Sequence, residues 1–325
     1  MNSTLNCSRT SENDSGIWNS HVVLALGIPQ MTIGLMSIIS NLIVVIAIVS
    51  SRAVHRSIFI LFCNLAISDI LVGSSGLWIA VLFIRDPQST ITGSSGLLKA
   101  YVFYVISILS TVYNLVGIAI ERYLAVTDSL RMKCRVSRKQ TLSGALINWA
   151  LAIIFGCLPL TGWHCLDSFD NMSTLYSPFC IDYLIFVTIP NCILAIFLPL
   201  FTYIGIIVIL RKQKSSMGTL EQLNTTYKIA EANVARTCIF IWILTMISYI
   251  PLFGGVLWDE TNVVCPQSLN IDAFIFRNLS AMMITLNSLS NPIIYSLRVK
   301  SLGNNFIFFK CHSSNRIDVQ IIEHV

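Results

Sequence analysis

One carboxylate, Asp69, interrupts an otherwise uncharged run over residues 57–84. Asn41, Thr111, Asn287, Ser288 and Asn291 sit near the middle of other uncharged runs. An acid among neutral oxygens, with no basic residue nearby, can hold a small hard cation such as sodium. The same residues can equally form a protonated or water-bridged structural network, and residue type leaves both readings open. Asn287 and Asn291 are four apart and share a helix face. A second group is Glu121-Arg122-Tyr123, which ends the uncharged run 100–120. Such a pair either anchors a helix end at the lipid headgroups or presents a charge that can exchange partners. No nucleophile–base pair and no metal-ligand spacing supports an enzyme.

The elements that position these residues follow from hydropathy. Hydrophobic residues make up 54% of the 325 and charged ones only 11%, too few to keep a soluble globule dispersed, so the chain reads as a polytopic membrane protein. A net charge of +5 gives nucleic-acid binding no support. Uncharged or nearly uncharged stretches long enough to cross a hydrocarbon core of ~30 Å fall within 15–51, 57–84, 100–120, 140–162, 183–210, 236–259 and 277–298. The expected fold is all-α, a seven-helix transmembrane bundle. A mid-span carboxylate costs roughly 2.5–3.5 kcal/mol, so Asp69 is expected to face the interior and find partners there. Pro251 and Pro292 lie inside the last two spans and are expected to kink them.

With the N-terminus outside, the cytosolic segments hold 17 of the 21 Lys and Arg, which favours that orientation. The N-terminal residues lack the apolar core of a cleaved signal peptide, so the first span is expected to act as the insertion signal. Asn2, Asn6, Asn13 and Asn171 begin N-x-S/T sequons on the outer side and are candidate glycosylation sites. Cys7, Cys165, Cys180 and Cys265 face that oxidising side. Cys165 and Cys180 share one loop and are expected to pair, leaving Cys7 with Cys265 as a candidate second bridge; four cysteines allow three pairings. After the seventh span, Leu302, Phe306, Ile307 and Phe309 with Lys300 and Lys310 suggest a short amphipathic helix on the inner leaflet. Cys311 at its end is a candidate palmitoylation site, with an unmodified thiol as the alternative. Three regions result: an outer tail 1–21, a spanning region 22–298, and 299–325 with the amphipathic helix and cytoplasmic tail.

Taken in order, S40-N41-L42, N64-L65-A66-I67-S68-D69, E121-R122-Y123, Trp149, Pro251 and N291-P292-I293-I294-Y295 resemble the rhodopsin-like (class A) G-protein-coupled receptors over about residues 25–311. The resemblance implies a plasma-membrane receptor that activates a heterotrimeric G protein, with arrestin as a further partner. It implies that Arg122 is held by Glu121 at rest, that Glu231 supplies a second restraining acid, and that Arg122 later faces an opened cytosolic cavity. Tyr203 and Tyr295 match the tyrosines that then reach inward, and Asn291 and Pro292 belong to the same switch. Asp69, Thr111, Asn287, Ser288 and Asn291 stand, from their chemistry alone, as the candidate allosteric sodium site beside the structural-network alternative.

Departures from the pattern narrow the branch. Leu97 stands where most members place a bridging cysteine, and G162-W163-H164-C165-L166 resembles the lipid-receptor branch: sphingosine-phosphate, lysophosphatidic acid, cannabinoid and melanocortin receptors with related orphans. Thr245 replaces a common phenylalanine, which implies an unusual relay and room for high basal activity. Tyr104 stands where amine receptors carry an aspartate, so a biogenic amine lacks its counter-ion. The implied ligand site comprises Tyr101, Tyr104, Val105 and Ile108, then Thr188 and Asn191, then Tyr249, Leu252, Phe253 and Met282. Mostly apolar with a few polar handles, it suits a small lipid-like ligand. Lys99 and Arg277 either reach a phosphate or carboxylate by rotating in or face headgroups. The alternatives are a peptide or nucleoside receptor of the same fold and, in another class, a transporter or channel, which would need a continuous polar path or inverted repeats.

Overall fold

The computed structural model describes residues 19–50, 56–128, 136–167, 171–215, 222–261 and 271–298, with the side chains of 128, 212–215, 222–231 and 295–298 left undescribed. Seven long helices account for most of it: α1 Ser20–Val49, α2 Ser57–Arg85, α3 Ser95–Asp128, α4 Arg138–Cys157, α5 Ile181–Ser215, α6 Gln222–Thr261 and α7 Ile271–Arg298. A single turn, Ser89–Thr92, joins α2 to α3. Six of the long helices are apolar enough to cross a membrane by composition alone. The exception, α7, carries Arg277, Asn287, Ser288 and Asn291 on faces turned into the bundle, and it is held by packing on α1, α2 and α6. The helices overrun the apolar windows, α3 by a turn at its start and α6 by several turns. Charge limits how much helix lies in hydrocarbon, not where helical hydrogen bonding stops.

Local sequence explains several boundaries. Asn19 caps α1 by accepting from the His21 amide at 3.0 Å. Ser137 and Gln140 form a reciprocal capping box at the start of α4. That helix tightens into a 3-10 turn, Leu158–Thr161, and ends on Gly162 at φ 114°, a backbone geometry that suits glycine. Prolines lie inside α1 (Pro29), α5 (Pro190, Pro199), α6 (Pro251) and α7 (Pro292).

Helix α3 is the central pillar. Its apolar window is 67% buried, against 22% for α4 and α5, and it touches α2, α4, α5 and α6. Helices α1 and α2 approach closely where Gly34 meets Gly73: a Cβ at Gly73 would sit 2.8 Å from the Gly34 carbonyl oxygen. Between α2, α3 and α4 runs a polar ladder. Trp149 Nε1 donates to Asn64 Oδ1 at 2.7 Å, Asn64 Nδ2 to Asn114 Oδ1 at 2.9 Å, and Asn114 Nδ2 to the Leu61 carbonyl at 2.9 Å. Buried amides in lipid need such partners, and the ladder fixes the rotation of α3 against its neighbours.

Candidate functional site

At one end of the bundle, Arg122 forms a two-pronged bond with Glu121: Nε to Oε2 at 2.5 Å and Nη2 to Oε1 at 2.6 Å. Both residues are buried, at 3% and 8% exposure. Neighbouring residues on a helix point roughly 100° apart, so this fork requires both side chains to fold back along α3. Headgroup anchoring needs no such arrangement, and it would leave the guanidinium exposed. Around it lies an apolar collar that includes Leu115, Ala119, Tyr203, Ile206, Ala235 and Cys238. Tyr203 is 2% exposed, packs at a tilt against Trp242 with ring centres 5.6 Å apart, and has a hydroxyl with no hydrogen-bond partner. Tyr123 packs against α5, where a Cβ at Gly205 would come within 2.7 Å of its ring.

Deeper in the bundle, Asp69 is fully buried and accepts from Asn291 Nδ2 at 2.8 Å. Asn41 ties α1 to α7 through the Ser288 carbonyl at 3.0 Å. Asn287 is turned toward α6, donating to Thr245 Oγ1 at 3.2 Å. Five buried side-chain oxygens in this layer have no hydrogen-bond partner: Asn41 Oδ1, Asp69 Oδ1, Thr111 Oγ1, the Tyr249 hydroxyl and Asn291 Oδ1. That donor set, one carboxylate with neutral oxygens, fits a hard monovalent cation. Tyr249, also fully buried, closes the top of this layer and packs edge-on against Phe253 at 6.2 Å.

Toward the opposite end, α3, α5, α6 and α7 wall a cavity with about 930 Å³ of atom-free space, open solvent at its mouth included. Tyr101, Tyr104, Val105 and Ile108 line it from α3, Thr188 and Asn191 from α5, and Leu252 and Phe253 from α6. Two of the ten residues expected there do not line it. Tyr249 lies one turn below the floor, and Met282 is rotated away because the lining face of α7 runs through Arg277, Ser280, Ala281 and Ile284. The loop before α5 supplies Tyr176 and Phe179, which sequence reasoning missed; loops lack the periodicity that exposes a buried face. Their position between two bridged cysteines was the available signal.

This loop is folded inward. Cys165 and Cys180 are bridged with Cα atoms 5.2 Å apart. Asp259, 1% exposed, accepts from the Ser173 hydroxyl, from the Thr174 amide at 3.0 Å and from the Leu175 amide at 3.3 Å. Arg277, 5% exposed, donates to the Thr90 carbonyl at 2.8 Å, to Thr90 Oγ1 at 3.1 Å and to the Leu175 carbonyl at 3.3 Å. Its guanidinium lies 5.3 Å from the centre of the Phe274 ring. Burial, with Asp259 as a lesser cause, pushes the Tyr176 hydroxyl's pKa up, so it stays a neutral phenol. Of the two readings left open for Arg277, the inward one is seen, with carbonyls of the folded loop and of residue 90 as its partners. Lys99 is exposed and does not line the cavity.

The remaining expectations divide by location. Asn171 is exposed, while the hydroxyl of its sequon, on Ser173, is buried against Asp259. Asn2, Asn6, Asn13, Cys7, Cys265, Cys311 and the amphipathic helix after the seventh span lie outside the described residues, as do the side chains of Glu231 and Tyr295. Pro292 lies inside α7, one residue after the Asn291 that holds Asp69.

A helical bundle with an apolar cavity opening at one end and a sequestered arginine at the other is the arrangement of a multi-pass membrane receptor. The model of the 7 transmembrane receptor (rhodopsin family) matches residues 40–295, so the chain belongs to that family, the class A G-protein-coupled receptors. It is 29% identical to lysophosphatidic acid receptor 1-B of Xenopus laevis over 300 residues, covering 90% of this chain and 77% of that one. Lysophosphatidic acid receptor 1 of Mus musculus is 28% identical over 304 residues, 92% of this chain and 79% of that one. Lysophosphatidic acid receptor 3 of Rattus norvegicus is 27% identical over 280 residues, 85% and 76% respectively. The crystal structure of squid rhodopsin shares the fold, with a TM-score of 0.74 at 16% identity over 95% of this chain and 91% of that one. Membership brings G-protein coupling and a non-enzymatic role.

Proposed function

We propose that this chain is a plasma-membrane receptor, N-terminus outside, that turns binding of a small lipid-like ligand into G-protein activation. The observation that carries the reading is the pairing of two sites on α3: the apolar cavity around Tyr101–Ile108 and the Glu121–Arg122 fork some four turns away. A ligand that favours a different packing of α6 against α3 shifts the population of bundles in which Arg122 leaves Glu121. The freed guanidinium, with Tyr203 and Tyr295 turning inward, then contacts the docked C-terminal helix of the G protein; Glu231 helps hold the resting state, and arrestin uses the same opened face. Lysophosphatidic acid in the relatives' names supports a lipid, as does a cavity walled by aliphatic and aromatic side chains. Asp69, Thr111, Ser288 and Asn291 would hold a sodium ion that screens the buried carboxylate, with Asn287 at the edge of the site. Asn2, Asn6, Asn13 and Asn171 carry glycans, Cys311 a palmitate, and Cys7 and Cys265 form a second bridge. Expression in cells with separate readouts for cyclic AMP and calcium, with and without a lipid panel, tests the reading. Lipid-dependent signalling is expected; activity that partitions only with aqueous peptides or nucleosides would overturn it.

A further inference from the structure

The sequon at Asn171 is split between water and the core. Asn171 is exposed, whereas Ser173, which supplies the hydroxyl two residues on, is 0% exposed. That hydroxyl donates to the Asp259 carboxylate and accepts from the Tyr176 amide at 2.8 Å. The backbone is clasped as well. The Ile181 amide donates to the Asn171 carbonyl at 2.8 Å, the Ser173 amide donates to the Phe179 carbonyl at 2.8 Å, and the Cys165–Cys180 bridge closes the loop around both.

N-glycosylation joins an asparagine Nδ2 to the C1 carbon of an oligosaccharide carried on a lipid diphosphate. The C1–O bond to the diphosphate breaks, the amide gives up one proton, and the lipid diphosphate leaves. Acceptors are confined to N-x-S/T, so the transferase has to contact the hydroxyl two residues on. In the folded loop the Ser173 hydroxyl offers no surface, and its proton is held by Asp259. Pulling it out would leave a buried carboxylate short of a donor. Exposure of Asn171 is therefore not sufficient. Synthesis order opens a window, because Asp259 lies 86 residues beyond Ser173. At about 5–20 residues per second it is made roughly 4–17 s later. Arg277, which holds the Leu175 carbonyl, follows later still.

We propose that Asn171 accepts its glycan only before α6 brings Asp259 to Ser173, and that loop closure then fixes each receptor as modified or bare. This deepens the reading of Asn171 as an outer-side glycan site and rests on it. The exposed Asn171 leaves room for the sugar in the folded loop, so both forms share one fold and do not interconvert.

The test uses the full chain with Asn2→Gln, Asn6→Gln and Asn13→Gln, and a glycosidase-sensitive mobility shift as the readout; adding Asn171→Gln marks the bare position. Chains are pulse-labelled in cells while a reversible inhibitor blocks the transferase. Export from the endoplasmic reticulum is then arrested and the inhibitor washed out. The parent chain is expected to stay bare through the chase, although it is shifted when no inhibitor is used. Asp259→Ala and the double variant Cys165→Ser, Cys180→Ser open the loop by separate routes, and each is expected to gain the shift during the chase. Late modification of the parent chain as complete as that of the open variants overturns the inference and leaves the glycan site standing. If neither open variant gains the shift, closure is not what bars late transfer, and the inference falls in the same way. Absence of the shift in every chain made without inhibitor removes the glycan site itself, and the inference with it.

Discussion

Asp259 and Arg277 grip the two sides of a single residue: one accepts from the Leu175 amide and the other donates to the Leu175 carbonyl, each at 3.3 Å. The outer ends of α6 and α7 are thereby joined through a loop that also walls the cavity. Hydrogen bonds to charged groups contribute about 1.5–3 kcal/mol each, so Asp259→Asn and Arg277→Met should each lower the thermal midpoint of the purified receptor by several degrees. Because both act through one residue, the double variant should lose less than the sum. Strict additivity would show that the two contacts are independent.

Removing the bridge between Cys165 and Cys180 should act in the same region. Cross-linking a loop of this length is worth about 2–4 kcal/mol through the unfolded chain. Cys165→Ser and Cys180→Ser should reduce cell-surface expression to the same degree, and the double variant should be no worse than either. A double variant clearly worse than the singles would mean that the cysteines serve separate partners.

Three of the unpartnered oxygens, at Asp69, Thr111 and Asn291, predict a sodium-dependent stability. The thermal midpoint should rise with sodium chloride more than with choline chloride at equal ionic strength. Asp69→Asn should remove that difference, since an amide supplies no charge to the ion. An unchanged sodium response in Asp69→Asn would place the ion elsewhere.

Thr245 and Asn287 form a polar latch between α6 and α7, with contacts of 3.2 and 3.4 Å. Thr245→Val keeps the shape and removes the hydroxyl, so it should loosen the packing of α6 and raise ligand-free signalling. Basal cyclic AMP or calcium signalling normalised to surface receptor is the measurement, and a fall would reverse the assigned role of the latch.

The bundle was largely legible because charge gaps of helical length mark the spans, and one arginine sets the register of α3. Counting back from Arg122 at helical spacing found Tyr101, Tyr104, Val105 and Ile108, all on one face and all in the cavity wall. On α7 Met282 was expected, whereas Ser280, Ala281 and Ile284 line the cavity. A shift of one residue along a helix rotates a side chain by roughly 100°. Arg277 stayed open between two readings for a different reason: its carbonyl partners come from the loop and from residue 90, and no local pattern announces such long-range acceptors. Tyr176 and Phe179 were hidden likewise, since only the folded loop brings Tyr176 against α6 and Phe179 against Tyr101 of α3.

The most direct measurement is guanine-nucleotide exchange on a purified G protein, catalysed by purified wild-type receptor, Arg122→Ala and Glu121→Gln. Freed of its fork, Arg122 in Glu121→Gln should support faster ligand-independent exchange than wild type, and Arg122→Ala should fall to the rate of the G protein alone. Exchange by Arg122→Ala at the wild-type rate would contradict the account.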